Sequence, residues 1–497
     1  MSLALGLDVG TQSTKGLLVD MESGEVIARA DSAYGLIEGL PPGAAEQDPE
    51  TWREAVRDVI AQLAAHPELD LGDVVTVGVS GQQHGCVVLD ESNRPIRPAK
   101  LWCDTATAAE AAELSAAFGR SVPTGFTASK LLWLARHEPQ NWARTKLVML
   151  PHDYINLLLT GKAAMEVGDA SGTGLFDVVE RQFDAQALDA FDVLSGDAAG
   201  QGLAARLPAL LDPSTPSAKF GVISEAAAKE FGLPAGALVA PGGGDNMMSA
   251  IGSGATRPGV ATVSLGTSGT AFAYSDAPVI DDEGLIAPFC GSAGGWMPLL
   301  CVMNLTGLTE EVRNAFGLEH GALTEAARKV PAGCDGLLWL PYLNGERVPD
   351  LPNASGTLLG MRPGHLNAGT LYRAALEGTS LNLAWGVERL KRLGVSTTEL
   401  RLVGGAARNP LWREILASCL DATVITLAEH DSAALGAAIQ AQWIHGAETG
   451  RATSLEELSK RCVRPIGEPQ LPVPRLRETY TALSMQFRSE VERLYGS

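Results

Sequence analysis

Cysteine is scarce in this chain and poorly placed for any shared task. The seven residues Cys86, Cys103, Cys290, Cys301, Cys334, Cys419 and Cys462 are scattered, odd in number and free of CxxC spacing. Neither a disulfide framework nor a cysteine-based zinc module fits such a pattern. The eight histidines show no ligand spacing either, so structural zinc is not expected. No apolar run approaches the ~20 residues that span a bilayer, and the N-terminus has no basic segment followed by a long apolar one. A cytoplasmic protein with no membrane partner is the expectation. Positive charge is also short: 38 Lys and Arg face 58 Asp and Glu, a formal net charge of −20. That balance argues against a nucleic-acid partner, since phosphate backbones are bound through clustered cations. Any smaller phosphate ligand must meet cations supplied locally.

What remains is 497 residues with 45% hydrophobic content, enough for two or more cored domains. The opening "LGLDVGTQSTKGLLVD", residues 5–20, alternates Leu3, Leu5, Leu7 and Val9 with smaller or polar residues, then resumes an apolar run at Leu17. This predicts a β-hairpin. A Walker loop is excluded, because Lys15 leads into a strand rather than a helix and the GxxxxGK[ST] spacing is missing. A hairpin tip of glycine and hydroxyl residues can still turn backbone N–H groups toward a phosphate; a merely solvated turn uses the same residues. Further along, Val26-Ile27-Ala28 reads as a third strand, "WREAVRDVIAQLAAH" as a helix and "VVTVGVSG" as a strand buried on both faces. Strand and helix pairs continue to "TVITL" and the small-residue helix "SAALGAAIQAQW". The class is mixed α/β.

The hairpin has an echo. "VSLGTSGTAFAY", residues 263–274, repeats an apolar strand, a Gly-Thr turn and a second apolar strand, and its Gly266-Thr267 stands half a chain beyond Gly10-Thr11. Two related α/β domains would produce this. A pair of hairpins facing one interdomain cleft would grip a polyphosphate from both sides.

Between the hairpins, "VAPGGGDN" places Asp245 where a strand gives way to a helix. An Asp there caps helices well, but three preceding glycines would also let a ligand approach and leave the carboxylate free to accept a hydroxyl proton. Asp245 is the candidate base. "SGQQHG" sets Gln82, Gln83 and His84 on a strand-end loop suited to a polyol, or to an ordinary polar surface. "LWCDTA" adds Trp102 and Asp104, an apolar plate beside an acceptor. "VGGAARNPLW" offers a Gly-Gly turn able to pack on a flat base, with Asn409 able to bond the nucleotide or to cap the next helix.

Taken together these segments resemble the FGGY carbohydrate kinases of the actin/hexokinase/Hsp70 ATPase superfamily. "DVGTQSTK" is similar to the family's first phosphate motif, "LGTSGT" to its second and "GGAARN" to its adenosine motif. "GFTASKLLWLARH" (125–137) and "LYRAALEGTSLNL" (371–383) resemble its two signatures. "EQDPETW", "SGQQHG", "GGGDN" and "LPYLNGERVP" look more like xylulokinases than glycerol kinases.

The resemblance implies a ribonuclease H-like fold of two domains, here 1–246 and 247–497, each a mixed five-stranded sheet with flanking helices about a cleft. It implies ATP-dependent phosphorylation of D-xylulose to D-xylulose 5-phosphate, with Mg²⁺ and a homodimer as family expectations. By position, it makes Asp245 the base, and Asp8 with Asp245 the metal-facing acids. Gln83, His84, Trp102, Asp104, Asp245 and Asn246 would bind the ketopentose. Thr11, Gln12, Ser13, Lys15, Gly266, Thr267, Gly404, Gly405, Ala406 and Asn409 would bind ATP. Two positions depart from the pattern: Gln83 stands where Met is common in xylulokinases, and Ala106 where Arg is common. A kinase for ribulose, glycerol or gluconate is the alternative, and a nucleotide-switched binding protein of the actin or Hsp70 kind a more distant one.

Overall fold

The computed structural model describes residues 1–197, 201–215 and 218–496. They form two compact units: the described residues within 1–256, 289–297 and 431–463 make the first, and those within 257–288, 298–430 and 464–496 the second.

In the first unit the opening alternation becomes the antiparallel pair Leu3–Val9 and Ser13–Asp20, in register from Leu3 opposite Asp20 to Val9 opposite Thr14. Val26–Ala33 pairs antiparallel with the second of these. It reaches past the expected Ala28, and its polar alternation leaves it half exposed, as suits an edge strand. On the other side Val74–Gly81 runs parallel to Leu3–Val9, and Leu238–Val239 parallel to Val74–Gly81. These are the five strands expected, and the two-residue strands Gly221–Val222 and Gly243–Gly244 enlarge the sheet to seven.

One face of this sheet is covered by the helix Pro49–Ala64. Asp48 caps it by accepting from the Glu50 N–H, Pro49 opens it, and Trp52, Val56, Val59, Ile60 and Leu63 form its buried stripe, the spacing of one helical face. A second helix, Ser432–Glu448, lies against the strands of the same sheet. Its approach is backbone to backbone: a Cβ on Gly6 would stand 2.0 Å from the Ala434 carbonyl oxygen, and one on Gly78 2.0 Å from that of Ala437. The same helix packs on Asp245–Ser253, where a Cβ on Gly436 would meet the Met248 oxygen at 1.8 Å and one on Gly252 the Ser432 oxygen at 1.8 Å. Glycine is required at these four points because no side chain fits.

The second unit repeats the plan. Gly259–Leu265 pairs antiparallel with Gly269–Ala273, which pairs antiparallel with Trp296–Val302. Thr397–Val403 runs parallel to Gly259–Leu265, and Thr423–Leu427 parallel to Thr397–Val403. Ile286–Cys290 and Pro465–Gln470 take the edges. The last of these forms inside the proline-rich tail, where an edge position tolerates the missing N–H groups. The terminal helix Pro474–Tyr495 buries Leu476, Tyr480, Phe487 and Val491, spaced along one helical face.

Candidate functional site

The first unit gathers its polar groups at one end of the sheet. Asp8 is opposite Lys15 in the hairpin and opposite Ser80 on the parallel neighbour, and directly opposed residues share a face. Ser80 Oγ donates to Asp8 Oδ1 at 2.8 Å. Burial pushes the Asp8 carboxyl above its ordinary range, with the Ser80 hydroxyl and Lys15 opposing. Burial works against the Lys15 ammonium too, yet Asp431, 2.7 Å from Nζ, keeps it charged and its pKa raised. Thr11, Gln12 and Ser13 carry the turn between these strands, tied by the Gly10 N–H to the Ser13 oxygen at 3.0 Å and by the Tyr34 hydroxyl to the Gly10 oxygen at 2.8 Å.

Asp245 is the first residue of the helix Asp245–Ser253, after Gly244 at the cap position. It is therefore not the cap, the structural role its sequence position also allowed. Burial, then the like charges of Asp8 and Asp169, push its carboxyl up to about 8 against the hydrogen bonds from Asn246. Asn246 donates through its backbone to Asp245 Oδ1 at 2.8 Å and through Nδ2 at 3.1 Å. The same Nδ2 donates to Gln83 Oε1 at 2.6 Å, and Gln83 Nε2 reaches Met247 Sδ at 3.1 Å. Gln83 and the helix that begins at Asp245 are thus joined through one amide. His84, also buried, follows on the same loop.

Trp102 is 41% exposed, and its indole N–H donates to Thr11 Oγ1 at 3.0 Å. Thr11 in turn donates to Gln82 Oε1 at 3.0 Å, and Gln82 Nε2 to Gln47 Oε1 at 2.9 Å. Gln82, read from the sequence as a polyol contact, is fully buried and bonded to protein, linking the hairpin tip to the loop. Asp104 is fully buried as well. Its Oδ2 accepts from the Ala45 N–H at 3.0 Å and Lys100 Nζ at 3.1 Å, and its Oδ1 from the Ala106 N–H at 3.0 Å. Protein donors take both oxygens, so Asp104 anchors the loop that carries Trp102.

Within the second unit, Gly266 and Thr267 form an exposed turn whose carbonyls accept from the Thr306 and Leu305 N–H groups, each at 3.0 Å. Gly404, at φ 90, follows Thr397–Val403 and lies against the end of the parallel neighbour Gly259–Leu265, where a Cβ would stand 2.8 Å from the Leu265 oxygen. Parallel pairing brings the two turns to the same end of the sheet. A Cβ on Gly405 would meet nothing within 4 Å, leaving open backbone beside Ala406. Asn409 Oδ1 caps the helix Pro410–Leu420 through the Leu411 and Trp412 N–H groups at 3.0 and 3.2 Å. Its Nδ2 donates to Thr324 Oγ1 at 3.1 Å and the Tyr372 hydroxyl at 3.4 Å. Asn409→Ala is expected to cost about 1 kcal/mol, the worth of a cap, read as a lower melting temperature of the nucleotide-free protein. An unchanged melting temperature would leave Asn409 with a ligand role alone.

Sequence reasoning passed over Asp169, His152 and Ser80. Asp169 rides on the short helix Val167–Ala170, held by Glu166, whose carboxylate accepts from the Gly168 and Asp169 N–H groups at 2.7 and 3.0 Å. The signal was the run "EVGDASG", an acid followed by small residues that permit close packing.

Residues 3–252 match the family model for the N-terminal domain of the FGGY family of carbohydrate kinases, and residues 261–444 that for its C-terminal domain. A xylulose kinase of Haemophilus influenzae is 40% identical over 456 residues, covering 89% of this chain and 90% of its own length. A xylulose kinase of Streptomyces coelicolor is 36% identical over 454 residues, covering 88% and 87%. Among solved structures, a Brucella ovis protein titled a xyloylose kinase aligns with a TM-score of 0.88 at 32% identity, covering 99% of each chain.

Proposed function

Because the chain belongs to the FGGY family of carbohydrate kinases, we propose that it transfers the γ-phosphoryl of ATP to a primary hydroxyl of D-xylulose. The products are D-xylulose 5-phosphate and ADP. The observation that carries the reading is the setting of Asp245, a carboxyl lifted to about 8 by burial and by neighbouring acids, at a helix start bonded to Gln83. A raised carboxyl near the operating pH is a competent general base. Asp245 takes the proton from the attacking hydroxyl as the phosphorus–oxygen bond to it forms and the bond to the ADP oxygen breaks.

Gln83, His84, Trp102 and Asn246 orient the ketose in this reading. Thr11, Gln12, Ser13 and Lys15 in the first unit, and Gly266 and Thr267 in the second, serve the phosphates; Gly404, Gly405 and Ala406 serve the adenosine. Phosphoryl transfer proceeds through a loose transition state, so alignment and charge stabilisation are the main tasks. Among the described residues no group of three or more His, Cys, Asp or Glu is arranged to hold a metal. Asp8 and Asp245, two acids of which the first helps to raise the second, instead fit a divalent ion carried in as MgATP. When bound, that ion would neutralise phosphate charge; Asp8 would hold it, and Lys15 would add a fixed cation. No described helix is long and apolar enough to cross a membrane, and we place the enzyme in the cytoplasm.

A kinase for another polyol is the second reading, favoured by the Gln83 amide in contact with Asn246. An ADP-release assay with MgATP and D-xylulose, D-ribulose, L-ribulose, L-xylulose, glycerol and gluconate separates the two. D-Xylulose is expected to lead in kcat/KM by about tenfold or more, roughly 1.4 kcal/mol of discrimination. Another polyol in the lead would assign specificity to Gln83 and Ala106, and no response would overturn the reading.

A further inference from the structure

The His84 side chain is buried. Its backbone sits at φ 61, a left-handed conformation that a non-glycine residue keeps only where its surroundings impose it. Asp169 is part of that imposition. Its Oδ1 accepts from the His84 backbone N–H at 3.3 Å and lies 3.0 Å from the ring Nδ1. The ring sits beside Phe126 and Phe289, with centroids 5.1 and 5.4 Å away. Gly172 leaves it room: a Cβ there would stand 1.8 Å from the ring Cε1.

Behind Asp169, His152 Nδ1 is 3.4 Å from Oδ2, and His152 Nε2 is 3.0 Å from Asp153 Oδ1; all three side chains are fully buried. Burial alone would raise the Asp169 carboxyl, but the two imidazoles bring it down to about 2, so it stays ionised. Asp169 Oδ1 lies 3.0 Å from Nδ1 without lining up for a hydrogen bond, and a negative charge that close favours a hydrogen on Nδ1 over a lone pair. Nδ1 therefore carries the hydrogen, and in the neutral ring Nε2 is left as the acceptor.

We infer that Asp169 and Gly172 are positioning residues that lock His84 in the Nδ1–H tautomer, so that Nε2 accepts a hydrogen bond from a hydroxyl of the ketose. The inference rests on the proposed ketose site. It reaches further, to Asp169 and Gly172, which act on the ketose through the tautomer and placement of His84, apart from the charge by which Asp169 also raises Asp245.

The tautomer is read without sugar, from long-range ¹H–¹⁵N spectra of enzyme labelled in its eight histidines, with His84 assigned by the signal lost in His84→Ala. A protonated Nδ1 and bare Nε2 are expected in the native enzyme, with movement toward Nε2–H in Asp169→Asn. In steady-state kinetics, Asp169→Asn and Gly172→Ala should each raise the ketose KM about tenfold while the ATP KM stays within about twofold. In a His84→Ala background neither should raise it further, because coupled residues are non-additive. Gly172→Ala changes no polar group and its φ lies outside the left-handed region, so it keeps the test alive if Asp169→Asn does not fold. An Nε2–H tautomer in the native enzyme, or undiminished effects in the His84→Ala background, overturns the inference. If His84→Ala leaves the ketose KM unchanged, the ketose site itself is refuted, and the sugar-free spectra still decide the tautomer.

Discussion

Asp245→Ala should lower kcat by about 10²- to 10⁴-fold, the worth of a positioned base, while the chain keeps its fold. The reason for expecting an intact fold is electrostatic. Burial and the charges of Asp8 and Asp169 raise this carboxyl from 3.8 to about 8, so the folded state holds a proton that the unfolded chain gives up near pH 4. By linkage, stability then falls as pH rises from about 4 to about 8 and levels off above, where the group is ionised in both states. Removing the carboxyl removes that penalty. The variant should therefore melt higher relative to the native protein at pH 8 to 9 than at pH 5, and calorimetry at the two pH values checks the sign. In the native enzyme the same shift makes kcat/KM for the ketose rise with pH and level near 8, whereas a cation bound beside Asp8 favours the ionised base and moves the limb of kcat to lower pH. Native turnover in Asp245→Ala would remove the base assignment.

Gly436→Ala should cost about 3 kcal/mol or more, a lowering of roughly 3 to 5 °C in melting temperature. A Cβ at this position would stand 1.8 Å from the Met248 oxygen and 2.8 Å from the Gly252 nitrogen. Those are backbone atoms of the helix Asp245–Ser253, so no side-chain rotation relieves the clash and the two helices must separate. Separation also displaces the helix start that carries Asp245, so kcat should fall together with stability. Gly321→Ala is the control: it lies in the helix His320–Arg328, where an added Cβ would meet nothing within 4 Å, and alanine there should raise stability by roughly 0.5 to 1 kcal/mol. Equal melting temperatures for the two variants would refute the packing argument.

Much was legible because it is local. Alternation at Leu3, Leu5, Leu7 and Val9 implies a strand, the Gly-Thr turns at 10–11 and 266–267 imply hairpins, and the periodicity of "WREAVRDVIAQLAAH" implies a helix; each depends only on neighbours in the chain. The duplication of the two sheets was visible as a repeated motif for the same reason. The placement of "SAALGAAIQAQW" was not. It follows the strand Thr423–Leu427 of the second unit, yet the helix Ser432–Glu448 belongs to the first, against glycines at positions 6, 78 and 252. Its small residues announce close packing without naming the partner, because complementarity between distant segments leaves no periodic trace in either. The site divides in the same way. Residue types at 8, 83, 84 and 245 suggested their chemistry from sequence, whereas only tertiary structure decided that Asp104, Gln82 and Asn409 have their polar atoms taken by protein partners. It alone brought Asp169 and Gly172 to His84, since hydrogen-bond satisfaction and free space are properties of what surrounds a side chain.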